Sequence, residues 1–477
     1  MTYRFFEKDP GTAYITNNLL LPKAGINLAP VKTALTFTYG EEEIRDEETG
    51  ELIMTRPGEM KLWDENRNHL IVPREFIPPS KYEQFGFEFE DVRPREFPIV
   101  DLRDTIELRD EDQAASFQAL IRHHSGTLNL ACGKGKTVLA LKLAAHLAVP
   151  TIVVVNTTAL LEQWKKEAKK FFGLKRVGVI QGTTADWEGH PIVLSMVHTL
   201  AQRRDLWSMK FRRRFGLVLY DEGHHMSAPV FVRSADLFFG RRYSLTATAR
   251  RIDGLESVYQ YHLGPIIHRD LEQELIPHTY FHRLKWEFDL RYKPRVSDSN
   301  GDFNLPRIRT YLGDLRWRNH LIGQDIIADF LKSRQLLVLS HSVEHVNNLA
   351  QELMDWDVPC GVITGATPQE DRMDILREAN PVLGTFQLAR EGLDKPSLDT
   401  LYVTTPFSSP NDLQQAWGRI QRQYDSKQEP IVRVYEDLAF NQCKTSCRSL
   451  RHHLDNMRYP YNNRNIKPEE LYGALEP

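Results

Sequence analysis

Cysteine is scarce in this chain: Cys132, Cys360, Cys443 and Cys447 are the only four among 477 residues. So few cannot build the disulfide framework of a secreted scaffold, and a reducing cytoplasm is the expected compartment. Long apolar runs are missing too. None approaches the roughly 20 residues that a membrane span needs, and the opening Met1-Thr-Tyr-Arg-Phe-Phe-Glu-Lys-Asp lacks the apolar core of a signal peptide. No membrane partner is expected. There is no excess of positive charge either: the formal net charge is −3, unlike many nucleic-acid binders, which are basic overall. Local clusters do exist at Arg203-Arg204, Arg212-Arg213-Arg214, Arg241-Arg242 and Arg250-Arg251, followed by Arg307, Arg309, Arg316 and Arg318. Each reads first as a solvated face, and together they keep a nucleic-acid partner open without establishing one.

What is present is an ordinary globular composition, 41% hydrophobic and 26% charged, in a chain too long for one core. Two stretches alternate short β-branched strands with helix-period segments, the grammar of parallel α/β domains. Strands are expected at Thr127–Ala131, Thr151–Val155, Pro191–Leu194, Gly216–Tyr220 and Tyr243–Thr246. A second set falls at Gln335–Ser340, Gly361–Thr364, Pro381–Thr385, Asp399–Thr404 and Ile431–Tyr435. The expected fold class is therefore α/β, with two tandem RecA-like parallel-sheet domains at 105–270 and 271–440. A small N-terminal α+β domain (1–104) precedes them and a helical tail (441–477) follows. In the N-terminal domain Ala34–Tyr39 and His69–Val72 look strand-like, split by acidic turns such as Gly40–Asp46. Tyr292–Asn304, polar with a Ser-Asp-Ser-Asn-Gly-Asp run, reads as a surface loop between the two α/β domains.

Chemistry concentrates at Leu130-Ala131-Cys132-Gly133-Lys134-Gly135-Lys136-Thr137, which follows a strand and opens into helix-period sequence. Small residues such as Gly133 and Gly135 let backbone N–H groups turn inward and cradle phosphates at a helix N-terminus. Lys136 can reach the β- and γ-phosphates of ATP, and the Thr137 hydroxyl can ligate Mg2+. Leu130 stands where the strict pattern has its first glycine, so a Gly-Lys-Thr in an ordinary turn is the rival reading. Further along, Leu217-Val-Leu-Tyr220 ends in Asp221-Glu222-Gly223-His224. Asp221, at a strand end beside the phosphate loop, can hold the Mg2+ shell, and Glu222 can orient or deprotonate the attacking water.

With these residues in order, the sequence resembles the superfamily 2 helicases from about residue 110 to 440. Leu108–Gln113 resembles the segment whose glutamine, here Gln113, reads the adenine edge. Thr151–Trp164 resembles motif Ia and Ile192–Leu200 a later strand-tracking motif. Ser244–Arg250 resembles the Thr-Ala-Thr motif that couples hydrolysis to strand movement. In the second domain, Leu337–His341 resembles motif IV, Ile363–Thr367 the motif after it, and Thr385–Asp394 motif V. Gln415-Ala-Trp-Gly418-Arg419-Ile-Gln-Arg422 matches the full Gln-x-x-Gly-Arg-x-x-Arg of motif VI.

The resemblance implies catalytic roles for Lys136, Asp221, Glu222, Arg419 and Arg422, with Gly392 and Asp394 joining the nucleotide contacts. It also implies that guanidinium groups supplied across a domain cleft neutralise charge on the γ-phosphoryl group. Strand contacts are implied at Thr157, Ser195, His198, Ser340, His341, Thr364, Gly365 and Thr385. The Asp-Glu-x-His form and Arg251–Gly254 look most like the branch holding the XPB-type DNA translocases and the UvsW-type phage recombination helicases. The compact length favours the phage side.

The implied activity is an ATP- and Mg2+-dependent DNA helicase or translocase that remodels forked, branched or single-stranded DNA. It would act as a monomer in the host-cell cytoplasm, beside recombination or replication proteins. An RNA helicase, a duplex translocase without strand separation, and an ATP-gated clamp are the alternatives. Ala249, Asn156 and Lys395 depart from the branch's usual residues at positions expected to face nucleic acid or to couple motifs. Among smaller signals, Cys443-x3-Cys447 with His452-His453 reads as one helix face before it reads as a metal site. Trp417 is expected to pack rather than stack on a base, whereas Arg316-Trp317-Arg318 offers aromatic and cationic groups to a single strand.

Overall fold

Runs such as Ile152-Val153-Val154-Val155 have no polar alternation and so require burial on both faces, and all ten strands expected on that ground are present. The computed structural model describes residues 11–24, 26–45, 52–84, 87–131, 133–223, 229–247, 255–271, 275–386, 395–407, 410–422, 424 and 426–467. The chain divides into two units, Met1–Leu271 and Glu272–Pro477. Among the described residues no helix is long and apolar enough to cross a membrane.

In the first unit, β1 (Thr12–Ile15) and β2 (Leu19–Pro22) precede helix α1 (Leu28–Ala34). β3 (Thr36–Arg45) and β4 (Leu52–Lys61) form a separate antiparallel pair. With β5 (Asp64–Glu65), β6 (His69–Val72) and β7 (Glu88–Asp91), the first two strands make a small sheet ordered β5-β6-β2-β1-β7. The acidic stretch expected as a turn at Gly40–Asp46 runs instead as strand through Arg45, because its backbone pairs antiparallel with β4.

After α2 (Glu111–Arg122), the larger sheet of this unit contains β8 (Ser125–Leu130), β9 (Thr151–Val155), β10 (Gly178–Gln181) and β11 (Thr184–Asp186). It is completed by β12 (Ile192–Met196), β13 (Leu217–Asp221), β14 (Arg241–Thr246) and β15 (Ile266–Asp270), in the order β11-β10-β12-β9-β13-β14-β8-β15. Every pair is parallel except β10–β11. Ile152, Val154, Val218 and Tyr220 fill one face, while Val153, Val155, Leu217 and Leu219 fill the other. Helices α3 (Lys136–Leu147) and α4 (Thr158–Phe172) contribute to the second of these layers.

Arginines fasten the small sheet to the large one. Arg74 Nη1 donates to the carbonyls of Phe239 and Gly240 at 3.2 and 3.0 Å, and Arg242 Nη2 donates to the carbonyl of Asn17 at 2.5 Å. Arg242 is fully buried, and desolvation brings its guanidinium down to about 9. This half of the Arg241-Arg242 cluster is therefore internal and not a phosphate contact.

In the second unit, β16 (His278–Leu284), β17 (Leu336–Ser340), β18 (Gly361–Ile363), β19 (Val382–Thr385), β20 (Thr400–Val403), β21 (Ile431–Asp437) and β22 (Tyr461–Ile466) form an all-parallel sheet. Its order is β18-β19-β17-β20-β21-β16-β22. Two of these strands carry no apolar run and were not expected. β22 (Tyr-Asn-Asn-Arg-Asn-Ile) is polar because it is an exposed edge strand, and it lies where a purely helical tail was expected beyond the helix Asn441–Met457. β16 alternates burial and places Tyr292–Asn304 inside the second unit, where a short helix (Lys293–Val296) and a Ser297–Phe303 bridge replace the expected loop.

Candidate nucleotide site and nucleic-acid face

Beyond β8 the chain turns through Gly133 and Gly135, both left-handed at φ 83° and 84°. A side chain at Gly135 is excluded twice, by that φ and because a Cβ would stand 2.4 Å from Gln113 Nε2. Gln113 is buried on α2, whose N-cap Asp110 accepts from Gln113 N at 2.8 Å. Gln113 Nε2 donates to the Lys134 carbonyl at 3.3 Å, and its Oε1 accepts from Arg109 N at 2.9 Å. The expected adenine-reading residue thus rests directly on the phosphate loop. Lys136 opens α3 and donates through Nζ to the Leu130 carbonyl at 3.0 Å. Thr137 follows it, half-buried, while Cys132 lies outside the described residues. Lys134, to which the sequence assigned no role, is bound by Asp270 at 3.0 Å and Asp112 at 3.4 Å.

β13 ends at Asp221, two strands from the phosphate loop with β14 between. Asp221 Oδ2 accepts from Trp164 Nε1 at 2.7 Å and Oδ1 from Glu222 N at 3.1 Å. Burial and the adjacent Glu222 charge push its carboxyl up to about 6, against the opposing pull of Trp164 and Lys136. A cation placed beside Asp221 would offset the burial and the Glu222 charge that disfavour its ionised form.

Glu222 takes φ 48°, and Gly223 passes so close to β14 that a Cβ there would stand 2.2 Å from Ser244 Oγ. Glu222 Oε2 accepts from Thr246 Oγ1 at 3.3 Å. The Asn129 amide, oriented to satisfy its hydrogen bonding, donates to the carbonyls of Thr246 and Ala247 at 3.3 and 3.2 Å. The first threonine of the Thr-Ala-Thr run is thus held from the acidic turn on one side and from the phosphate-loop strand on the other. His224 and Thr248–Gly254, Ala249 included, lie outside the described residues.

The expected strand contacts divide into reachable and buried. Thr157 caps α4, accepting from Leu160 N at 3.2 Å, and His198 is exposed. Ser195 is fully buried within β12, between β10 and β9, and offers no surface to a strand. Ser340 is also fully buried: it pairs with His345 Nδ1 at 3.0 Å and accepts from Ser342 N at 3.1 Å, so it braces a turn instead of meeting phosphate. His341 is half-buried, its backbone N and Nδ1 both on Thr405 Oγ1 at 3.1 and 2.9 Å, and its ring lies on Phe386. Thr364 and Thr385 are half-buried and Gly365 exposed. They lie at the C-terminal ends of the neighbouring strands β18 and β19, the edge where parallel sheets bind ligands.

Elsewhere in the second unit, Arg419 lies on the helix Pro410–Ile420 and Arg422 just beyond it, both half-buried. Gly392 and Asp394 fall outside the described residues. Trp417 packs in the core, 1% exposed. Arg318 is not free for a strand: it is fully buried against Asp437 at 2.9 Å and donates to the Thr404 carbonyl at 2.8 Å, leaving only Arg316 of that triplet exposed. Lys395 is likewise buried, donating to the Ala379 carbonyl, and does not face nucleic acid. Cys443 and Cys447 are buried in apolar clusters, where desolvation raises both thiols above their ordinary range.

A glycine cradle at the mouth of a parallel sheet, with a carboxylate pair two strands away and a second parallel sheet in tandem, defines a RecA-like nucleotide-hydrolysing core. Residues 103–251 match the family described as type III restriction enzyme, res subunit, and residues 322–423 match the helicase conserved C-terminal domain. Over 375 residues the chain is 31% identical to the DNA 3'-5' translocase XPB2 of Sulfurisphaera tokodaii, covering 69% of this chain and 82% of that one. It is 27% identical to a protein of Escherichia phage T5 described as helicase D10, covering 77% and 80% of the two chains. It is 26% identical to a protein of Acanthamoeba polyphaga mimivirus described as an ATP-dependent RNA helicase, L396, covering 83% and 76% of the two chains. The RNA-bound structure of S. cerevisiae Dbp5 shares the fold, with a TM-score of 0.52 at 11% identity over 74% of this chain and 89% of that one. The chain belongs to the superfamily 2 helicases, in the branch of the XPB-type translocases, and is of the ATP-dependent helicase class.

Proposed function

We propose that the protein is an ATP-dependent DNA helicase or translocase that unwinds or branch-migrates forked and recombination-intermediate DNA. The observation that carries the motor reading is the set Lys136, Asp221, Glu222 and Thr246, in which the Lys136 charge acts on the Asp221 carboxyl and hydrogen bonds run from Asp221 through Glu222 to Thr246. The DNA reading draws on the similarity to a DNA translocase. The RNA reading stays as the rival because a relative of similar coverage is described as an RNA helicase.

In this reading the backbone of Gly133–Gly135 cradles the ATP phosphates, Lys136 neutralises their charge and Gln113 reads the adenine edge. Thr137 and Asp221 would hold Mg2+, which would offset the negative charge of the phosphates. Glu222 orients the attacking water and accepts its proton. Arg419 and Arg422 supply guanidinium groups to the charge that develops on the γ-phosphoryl group. Gly392 and Asp394 are assigned to the same nucleotide. Thr157, His198, His341, Thr364, Gly365 and Thr385 are the strand contacts that remain accessible. The N-terminal domain, 1–104, is assigned to duplex or junction recognition by its place beside the motor.

The test is ATP turnover with forked DNA, duplex DNA, single strands and RNA, each with the wild type and Lys136→Ala. Stimulation by branched DNA that disappears in K136A supports the proposal. Stimulation by RNA alone refutes the DNA assignment, and stimulated turnover in K136A refutes the site.

A further inference from the structure

Trp164 is the one side chain outside the turn Asp221–Glu222 that donates to the Asp221 carboxylate among the bonds described above, and it comes from α4. The indole is 1% exposed, packed in the core layer beside α3, and Nε1 reaches Asp221 Oδ2 at 2.7 Å. A buried indole N–H needs an acceptor, and a carboxylate acceptor makes a short, charge-assisted bond. With Glu222 N on Oδ1, both carboxylate oxygens are held in one orientation. The same helix begins after the cap Thr157, seven residues before Trp164. α4 is thus a rigid element with a candidate strand contact at one end and the metal-side carboxylate against its middle. Nothing in composition or spacing assigns this tryptophan a role.

We propose that Trp164 is a positioning residue that fixes Asp221 for the metal nucleotide and links strand binding at the N-terminus of α4 to that carboxylate. This rests on the nucleotide-site reading above. Because a displacement of α4 by a bound strand would shift the Trp164 donor, strand binding and metal-nucleotide affinity should be thermodynamically coupled, each changing the other by the same factor.

The test uses Trp164→Phe, which keeps ring packing and removes the N–H. Free Mn2+ is followed by electron paramagnetic resonance in the presence of ADP, with and without a single DNA strand, and steady-state ATP turnover is measured in parallel. In the wild type the strand should change Mn2+·ADP affinity by roughly fivefold or more. In W164F the Mn2+·ADP affinity without DNA should fall roughly tenfold, since a hydrogen bond to a charged group is lost, and the effect of the strand should vanish. Strand-stimulated kcat should fall, and KM for the metal–ATP substrate should rise with the lost metal-nucleotide affinity. Wild-type Mn2+ affinity in W164F overturns the proposal, as does a strand effect of unchanged size. Loss of thermal stability with turnover reduced in proportion, and Mn2+ affinity intact, assigns Trp164 to packing alone and also overturns it. A wild-type protein that binds no Mn2+·ADP and hydrolyses no ATP instead overturns the nucleotide-site reading itself.

Discussion

Thr246 Oγ1 donates to Glu222 Oε2 across 3.3 Å, tying the end of β14 to the acidic turn at the end of β13. Thr246 is fully buried, so this bond is an internal link between two motifs and not a surface contact. Replacing it by an isosteric apolar side chain tests what the link transmits. In Thr246→Val, Glu222 keeps its place in the turn, and we expect ATP turnover to fall only several-fold while strand displacement per ATP falls by roughly tenfold or more. The check is fork unwinding and ATP turnover measured on the same preparation. A proportional fall in both would show that the bond serves hydrolysis and not coupling.

Arg419 and Arg422 are assigned to transition-state charge, so their loss should spare nucleotide binding. Arg422→Ala is expected to lose about three orders of magnitude in DNA-stimulated kcat, with affinity for a fluorescent ADP analogue changed by less than about threefold. Arg422→Lys should recover little, because an ammonium lacks the planar fork of the guanidinium. Stimulated turnover near the wild-type rate in the alanine variant would remove Arg422 from the site.

The Arg318–Asp437 pair is buried at both partners, and Trp286 Nε1 also donates to Asp437 at 3.1 Å. Arg318→Met leaves a carboxylate in the core without its cation. We expect the transition of the second unit in urea to lose about 3–5 kcal/mol. Adding Asp437→Leu should restore much of that loss, since the unpaired charge is then gone. A single variant within about 0.5 kcal/mol of wild type would contradict the buried pairing.

Acid should weaken the protein through buried histidines. Burial, followed by the Arg318 charge, brings His345 down to about 3, and burial first of all brings His262 and His282 each down to about 4. All three values lie below the ordinary 6.5, so on acidification the unfolded chain binds protons before the folded one does. Their contribution to stability is complete above about pH 6.5 and is lost as the pH falls from there toward about 4 and 3, by about 1.4 kcal/mol per group per pH unit. Urea midpoints measured from about pH 7 to pH 5 should fall steadily, with a shallower slope for the second unit in His345→Gln. A flat profile over that range would rule out neutral burial of these rings.

Much of this molecule was legible before folding because its signals are local. Parallel strands buried on both faces must be nearly continuous in aliphatic residues, so Thr151–Val155 and its counterparts stood out. The glycines at 133 and 135 and the Asp221-Glu222 pair are short-range patterns whose chemistry follows from their spacing. Strands lacking that apolar signature, β16 and the exposed edge β22, were invisible for the same reason.

The fate of individual polar side chains was not local. Ser195, Ser340 and Arg318 are expected from the sequence to face nucleic acid, and Lys395 to face it or to couple motifs; each is buried, because exposure depends on which layers cover a strand or helix and not on its neighbours in sequence. Trp164 and Asp221 are far apart in the chain, as are Lys134 and Asp270, yet each pair meets within hydrogen-bonding distance. The sequence by itself determined that two parallel sheets would form and that the first would carry a phosphate-binding turn, since backbone conformation and burial pattern are written residue by residue. Only the tertiary structure decided which donors hold the metal-side carboxylate, how the acidic turn is joined to Thr246, and which arginines are structural, since those choices depend on distances that packing alone sets.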